Sequence, residues 1–226
     1  VSAGGWQAAF FVPGMLLLGV LAFWWFSRLD VPPAQAKLAR FHWSDMGGDI
    51  RAVWPVLIGA VFMGFVYTAA LLWMPSFFDK FGMAAVAGIL PLLGAAGMFV
   101  AGMLIRRGGA PLKVMRQFLA LITICALAAA LTSGPAQIAA LLVMMLGLGG
   151  SVALLLASIP MALAPPGRTS SVAALVTAVQ NIGGGLAGVL VGAMVDSTGW
   201  PSVFLVWAGC GLVSLGISIL LRKMGG

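Results

Sequence analysis

The chain has 226 residues, of which 62% are hydrophobic and 8% are charged, and its formal net charge is +7. A soluble globular domain carries about 25% charged residues, so this composition excludes a single soluble domain of this length. The basic residues border apolar stretches instead of forming a basic face with accessible aromatic side chains, which argues against a nucleic-acid partner and for a lipid bilayer.

Seven apolar stretches follow one another along the chain. A helix needs about 20 apolar residues to cross roughly 30 Å of hydrocarbon. We predict spans at residues 6–27, 53–78, 83–105, 112–132, 136–164, 169–195 and 200–221. The predicted fold is therefore an all-α membrane protein with seven transmembrane helices.

One long polar segment separates the first predicted span from the other six. It contains two adjacent prolines, Pro32 and Pro33, together with several acidic and basic residues. This composition is typical of an interdomain linker. We predict three parts: a transmembrane helix in residues 1–28, a cytoplasmic linker in residues 29–50, and a six-helix transmembrane bundle in residues 51–226.

The basic residues predict the orientation of the chain in the membrane. If residues 29–50 are cytoplasmic, all of the twelve lysines and arginines except Lys80 fall on the cytoplasmic side. Lys and Arg near the ends of spans are retained on that side. We therefore expect a multi-pass protein whose C-terminus is cytoplasmic.

An internal repeat relates the first span to the last. Residues 5–12 begin with Gly-Trp and continue through aromatic residues, and residues 199–206 repeat this pattern. The same offset pairs Arg28 with Arg222. Parallel repeats of equal orientation are a known transporter design, and they predict two six-helix halves of which the first is represented here by its last helix alone. The alternative is two unrelated helix starts that both use Gly-Trp as an interface anchor.

On these residues and this topology the chain resembles the major facilitator superfamily, as its sixth to twelfth helices with the N-terminal helices missing. The loop after the third span carries part of the family's inner-loop signature, since Gly102, Leu104, Arg107 and Gly109 match it and Arg106 stands where the signature has Asp. The resemblance implies a gating loop that includes Gly102, Arg107 and Gly109. It also implies a place in the bacterial cytoplasmic (inner) membrane.

Polar side chains inside the spans are the candidate substrate-binding residues. Groups of this kind are costly in hydrocarbon and usually face the bundle interior or a wet cavity. The candidates are Tyr67, Thr68, Ser151, Thr177, Gln180 and Asn181. The resemblance places them on the helices that line the family's central cavity. Hydrogen bonding between helices stays an equal alternative for Gln180 and Asn181, and bonding to the residue's own helix is the favoured alternative for Ser151 and Thr177.

Glycines at helical spacing predict close contacts between helices. Gly184, Gly188 and Gly192 recur every four residues, and Gly147, Gly149 and Gly150 form a second group. Small residues at this spacing allow helix backbones to approach closely in lipid. Static packing and a sliding contact are both compatible with the pattern.

The sequence and the resemblance together predict a secondary active transporter that moves a small organic solute by alternating access. The alternative is a transporter-like membrane sensor that binds a solute and signals without transport. No cofactor, metal site or enzymatic activity is expected, because no nucleophile–base pair or metal-ligand cluster is present. The expected partners are the bilayer and a small-molecule substrate, and a coupling ion such as a proton is left open.

Overall fold

The computed structural model describes residues 8–27 and 43–224, and within these ranges every regular element is helical. The chain divides into two compact units, Val1–Arg40 and Phe41–Gly226. In the first unit, α1 covers Ala8–Phe26. Part of the predicted linker, residues 29–42, lies outside the described residues, as do Arg28 and the start of the repeat at residues 5–7.

The second unit contains the remaining helices. Their bounds are Trp43–Asp79 (α2), Leu90–Arg106 (α3), Pro111–Leu131 (α4), Pro135–Ala153 (α5), Ile159–Leu163 (α6), Thr169–Ser197 (α7) and Trp200–Met224 (α8). A 3-10 helix, Ala84–Ile89, leads into α3, and a π-helical turn, Leu154–Ser158, joins α5 to α6. α2 begins inside the segment that the sequence predicts to be a linker.

Six helices are long and apolar enough to cross a membrane, and the described residues of α1 add a shorter apolar stretch, Gly14–Phe23. α5, the π-helical turn and α6 together form one of the six, Pro135–Leu163. Each lies within a few residues of a predicted span. The prediction of an all-α, multi-pass membrane protein is therefore confirmed.

Short connections join the six spans. Each of the five connections contains one glycine with a positive φ, between +66° and +86°: Gly82, Gly108, Gly134, Gly167 and Gly199. Glycine adopts this left-handed conformation without steric cost. α3, α4 and α5 each have a proline in the first turn. Proline is tolerated there because the first backbone N–H groups of a helix have no partner within the helix. The chain therefore reverses direction tightly between consecutive spans.

The packing of the second unit has an internal symmetry. α2 packs on α7, α3 on α5, and α4 on α8, with further contacts of α4 with α5 and of α2 with α8. Exchanging α2 with α5, α3 with α7, and α4 with α8 leaves this set of pairs unchanged. The six spans therefore form two three-helix halves that pack in the same way.

Hydrogen bonds and aromatic contacts connect α8 to α4 and to α2. Arg116 of α4 donates hydrogen bonds from Nε and Nη2 to the carbonyl oxygen of Ser218, at 3.2 and 2.6 Å. At the other end of α8, Phe204 packs edge-on against Phe77 of α2 and against Trp207, with ring centroids 5.3 and 5.5 Å apart. Trp207 is completely buried. These contacts place a well-packed core between α2, α4 and α8.

Candidate functional site

The contact between α2 and α7, here called the α2/α7 seam, is made backbone to backbone. A Cβ atom on Gly64 would collide with the carbonyl oxygen of Gln180, and a Cβ atom on Gly183 would collide with the carbonyl oxygen of Val61. Only glycine fits at both positions. Close approach of this kind maximises van der Waals contact between helices in lipid, where the hydrophobic effect does not drive helix association.

The contact between α3 and α5, the α3/α5 seam, repeats this arrangement. A Cβ atom on Gly97 would collide with the carbonyl oxygen of Leu146, and one on Gly149 with the carbonyl oxygen of Gly94. Each of the four helices contributes one such glycine and one such carbonyl group, and in each helix the glycine lies three residues after the residue that carries the carbonyl group. The two seams are therefore equivalent under the exchange of the three-helix halves, and Gly94 occupies the position that corresponds to Gln180.

Gln180 lies at the crossing of the α2/α7 seam. Its Cγ atom would be 2.8 Å from a Cβ atom on Gly64, so the side chain extends over α2. Gln180 is 9% exposed, and its Oε1 atom is buried without a hydrogen-bond partner among the described residues. A buried amide oxygen in this condition loses its hydration without compensation.

Two further polar side chains of α2 lie along the same seam. The Thr68 Oγ1 atom would be 2.6 Å from a Cβ atom on Gly184, and the Trp73 ring would be 3.1 Å from one on Gly192. Trp73 also has a buried Nε1 atom without a partner among the described residues. Tyr67, next to Thr68, is half-buried. The structure therefore brings Thr68 and Gln180 to one seam.

Trp73 is absent from the sequence-predicted site. Tryptophan near the end of a span is typical of an interface anchor, and no sequence pattern distinguishes an indole N–H that reaches water from one that is enclosed. Only the contact with Gly192 reveals its burial against α7.

The other predicted residues occupy two different environments. Thr177 and Asn181 are exposed, one turn apart on the open face of α7, and Thr177 donates to the carbonyl oxygen of Ala173 at 2.8 Å. Ser151 is completely buried and donates to the carbonyl oxygen of Leu148 at 2.8 Å, with Met63 Sδ 3.9 Å away. Ser151 is therefore enclosed within the bundle and paired to its own helix, while Thr177 and Asn181 lie on its surface.

The predicted gating loop forms the tight turn between α3 and α4. Gly109 donates its backbone N–H to the carbonyl oxygen of Leu104 at 3.0 Å, which closes the end of α3. Arg106 and Arg107 are exposed, and they line a shallow depression together with Gly102. The turn therefore presents two guanidinium groups at one end of the bundle.

Aspartate, lysine and arginine side chains are confined to the ends of the spans in the part of the second unit that the structure describes. Asp79 and Lys80 follow the end of one span, Asp196 lies near the end of another, and Lys113 and Arg116 occupy the first turns of α4. No three His, Cys, Asp or Glu side chains within residues 8–27 and 43–224 are grouped so that they could hold a metal ion. The polar groups at mid-span are neutral, so the seam can offer hydrogen bonds but no fixed charge.

A family model described as Major Facilitator Superfamily matches residues 1–188. No curated protein matches the chain.

Proposed function

The chain belongs to the major facilitator superfamily of membrane transporters, and from this premise we propose that it is a secondary active transporter that moves a small organic solute across the cytoplasmic membrane by alternating access. In this mechanism two halves rock about a site near the middle of the membrane, and the bound solute shifts the balance between the inward-facing and outward-facing states.

The observation that carries the proposal is the buried amide oxygen of Gln180, which has no hydrogen-bond partner among the described residues. A polar group left without a partner in hydrocarbon costs several kcal/mol. A solute that satisfies this group in one state of the transport cycle would be bound in that state. We assign substrate contact to Tyr67, Thr68, Thr177, Gln180 and Asn181. For Ser151, which is paired to its own helix, we propose a supporting role in packing the wall behind the seam.

The proposal includes the arrangement of the chain in the membrane. Residues 1–28 would form the last helix of an N-terminal half, residues 29–50 a cytoplasmic linker, and residues 51–226 the six-helix C-terminal bundle. The turn with Gly102, Arg107 and Gly109 would act at the cytoplasmic gate. A bacterial inner membrane with the C-terminus inside fits the distribution of basic residues. A coupling proton would need an ionisable group other than those at the ends of the described spans.

Transport itself is tested with the full-length protein in proteoliposomes. We expect saturable uptake of neutral organic solutes, and we expect Gln180→Ala to weaken the apparent affinity about tenfold, the effect of losing one buried hydrogen bond. Ser158→Ala, on the π-helical turn, is the matched control and should change the affinity little. Equal small effects of the two changes would contradict the assignment of Gln180, and specific binding without flux would favour the sensor.

The proposed orientation is tested by labelling single introduced thiols with a membrane-impermeant maleimide in intact cells. Ser133→Cys, in the exposed connection between α4 and α5, should react from outside. Ala110→Cys, in the exposed connection between α3 and α4, should react several-fold more slowly until the cells are permeabilised. The native thiols Cys125 and Cys210 are buried and should give little background. Rapid reaction of Ala110→Cys in intact cells would reverse the orientation.

A further inference from the structure

The two equivalent seams allow the polar content of one to be compared with that of the other. Both use the same glycine–carbonyl contacts at the same spacing. Packing alone therefore requires no polar side chain at either crossing, as Gly94 shows for the α3/α5 seam. The presence of Gln180 at the corresponding position of the α2/α7 seam needs another explanation.

Buried polar atoms without partners are distributed unequally between the seams. The described residues contain five: Gln180 Oε1 and Trp73 Nε1 on the α2/α7 seam, and Trp200 Nε1, Trp207 Nε1 and Ser214 Oγ on α8. None of the five lies on the α3/α5 seam. Among the described residues, the α3/α5 seam thus has no buried polar side-chain atom without a partner. The α2/α7 seam has an unpaired acceptor, Gln180 Oε1, and an unpaired donor, Trp73 Nε1–H.

The chemistry of the two unpaired atoms defines what would satisfy them. Gln180 Oε1 is an acceptor and needs an N–H or O–H group, while Trp73 Nε1–H needs an acceptor. The absence of Asp, Glu, Lys and Arg at mid-span in the described part of the bundle disfavours a charged solute, which would have to leave water without a counter-charge. The seam therefore suits a neutral molecule with a hydrogen-bond donor.

The surface of α7 beside the buried amide carries two exposed polar side chains. The next residue, Asn181, is exposed on the open face of α7, and Thr177 is exposed one turn before it. The buried amide of Gln180 therefore adjoins this open face.

We infer that the α2/α7 seam, and not the α3/α5 seam, selects the solute by a donor requirement: Gln180 Oε1 accepts a hydrogen bond from a neutral solute. This inference rests on the proposed transport function and names the class of substrate, which is an uncharged organic molecule with an N–H or O–H group. Gln180 is the specificity-determining residue.

The first test needs no ligand. Gln180→Met keeps the length of the side chain and removes the unpaired oxygen, so the full-length protein should melt at a higher temperature in detergent. Ser214→Ala, which removes a buried unpaired oxygen from α8, is the matched control and should show a similar rise. A lower or unchanged melting temperature for Gln180→Met, with a rise for Ser214→Ala, would overturn the inference, because the amide would then stabilise the resting protein.

The second test uses benzamide and N,N-dimethylbenzamide, which differ in the presence of an N–H donor. Benzamide should raise the melting temperature of the native protein and of Ser214→Ala by a few degrees, and it should have no effect on Gln180→Met. Trp73→Phe and Trp207→Phe each remove an unpaired indole N–H that lies away from Gln180, and both should leave the response unchanged.

The remaining outcomes separate this inference from the proposed function. Benzoate and benzylammonium serve as charged probes beside the two amides. The donor requirement would be overturned by equal responses to both amides, by a response only to a charged probe, or by no response to any of the four. Saturable flux of another solute would still support the proposed transport function. A normal benzamide response without flux in proteoliposomes would support the inference and contradict the proposed transport function.

Discussion

Gly183→Ala is expected to destabilise the protein by about 3 kcal/mol or more, at the upper end of the range for overpacking. The added Cβ atom would collide with the carbonyl oxygen of Val61 and lie 3.0 Å or less from the surrounding backbone of α2. Backbone atoms cannot move aside by changing rotamer, so α2 and α7 would have to separate. The measurement is reversible unfolding in mixed micelles, followed by far-ultraviolet circular dichroism.

Gly185→Ala, two residues along the same helix, is the matched control. A Cβ atom on Gly185 would meet no atom within 4 Å. Because alanine favours a helix over glycine by about 1 kcal/mol, this change should be neutral or slightly stabilising. Equal destabilisation by the two substitutions would show that α2 and α7 are not held by a backbone contact at Gly183.

Trp207→Ala should cost about 3–5 kcal/mol, the usual effect of removing a large buried aromatic side chain. Trp207 is completely buried and packs against Phe204. In lipid the loss comes from unfilled space and missing van der Waals contacts, because lipid solvates the unfolded helices well. The same unfolding assay measures the change.

Trp54→Ala provides the comparison for Trp207. Trp54 lies on α2 and is 48% exposed, so its removal leaves little unfilled space and should change stability by less than about 1 kcal/mol. A similar loss for both tryptophans would mean that the core between α2 and α8 is loosely packed, contrary to the observed contacts.

The spans could be predicted from the sequence because hydrocarbon imposes a minimum length on each apolar helix. Residues 169–195 were expected to form one span, and α7 covers Thr169–Ser197. The π-helical turn Leu154–Ser158 was not predicted, since it inserts an extra residue shortly before Pro160 without interrupting the length of the span. The start of α2 at Trp43 was also missed, because the polar residues before the span can form a helix in water.

The glycine patterns identified the right helices but not all of the right residues. Gly184 and Gly192 meet Thr68 and Trp73 as the spacing indicated, and Gly149 contacts α3 through its backbone. Gly188 was wrong as a contact residue, since a Cβ atom there would meet nothing within 4 Å. The sequence could not distinguish Gly183 from its neighbours Gly184 and Gly185, because the direction that each one faces depends on the rotation of the whole helix.

For the candidate site too, the sequence indicated interactions within one helix but not contacts between helices. The sequence singles out Gln180 because an amide is unusual at mid-span, and Thr177 and Ser151 pair with their own helices, the alternative that their hydroxyls favoured. Whether the Gln180 amide finds a partner depends on α2, which is distant in sequence. The structure shows no hydrogen bond from it to another described residue. Its role in binding stays a prediction.

The brevity of the five connections limits how the bundle can enter the bilayer. Each left-handed glycine holds two consecutive helices as a closed hairpin. One helix therefore cannot invert while its neighbours stay in place, since no connection is long enough to cross the membrane. Inversion must involve all six helices at once. Otherwise one hairpin would remain at the membrane surface without spanning the bilayer. A change of charge in a single connection should consequently lower the yield of inserted protein more readily than it produces a mixed topology.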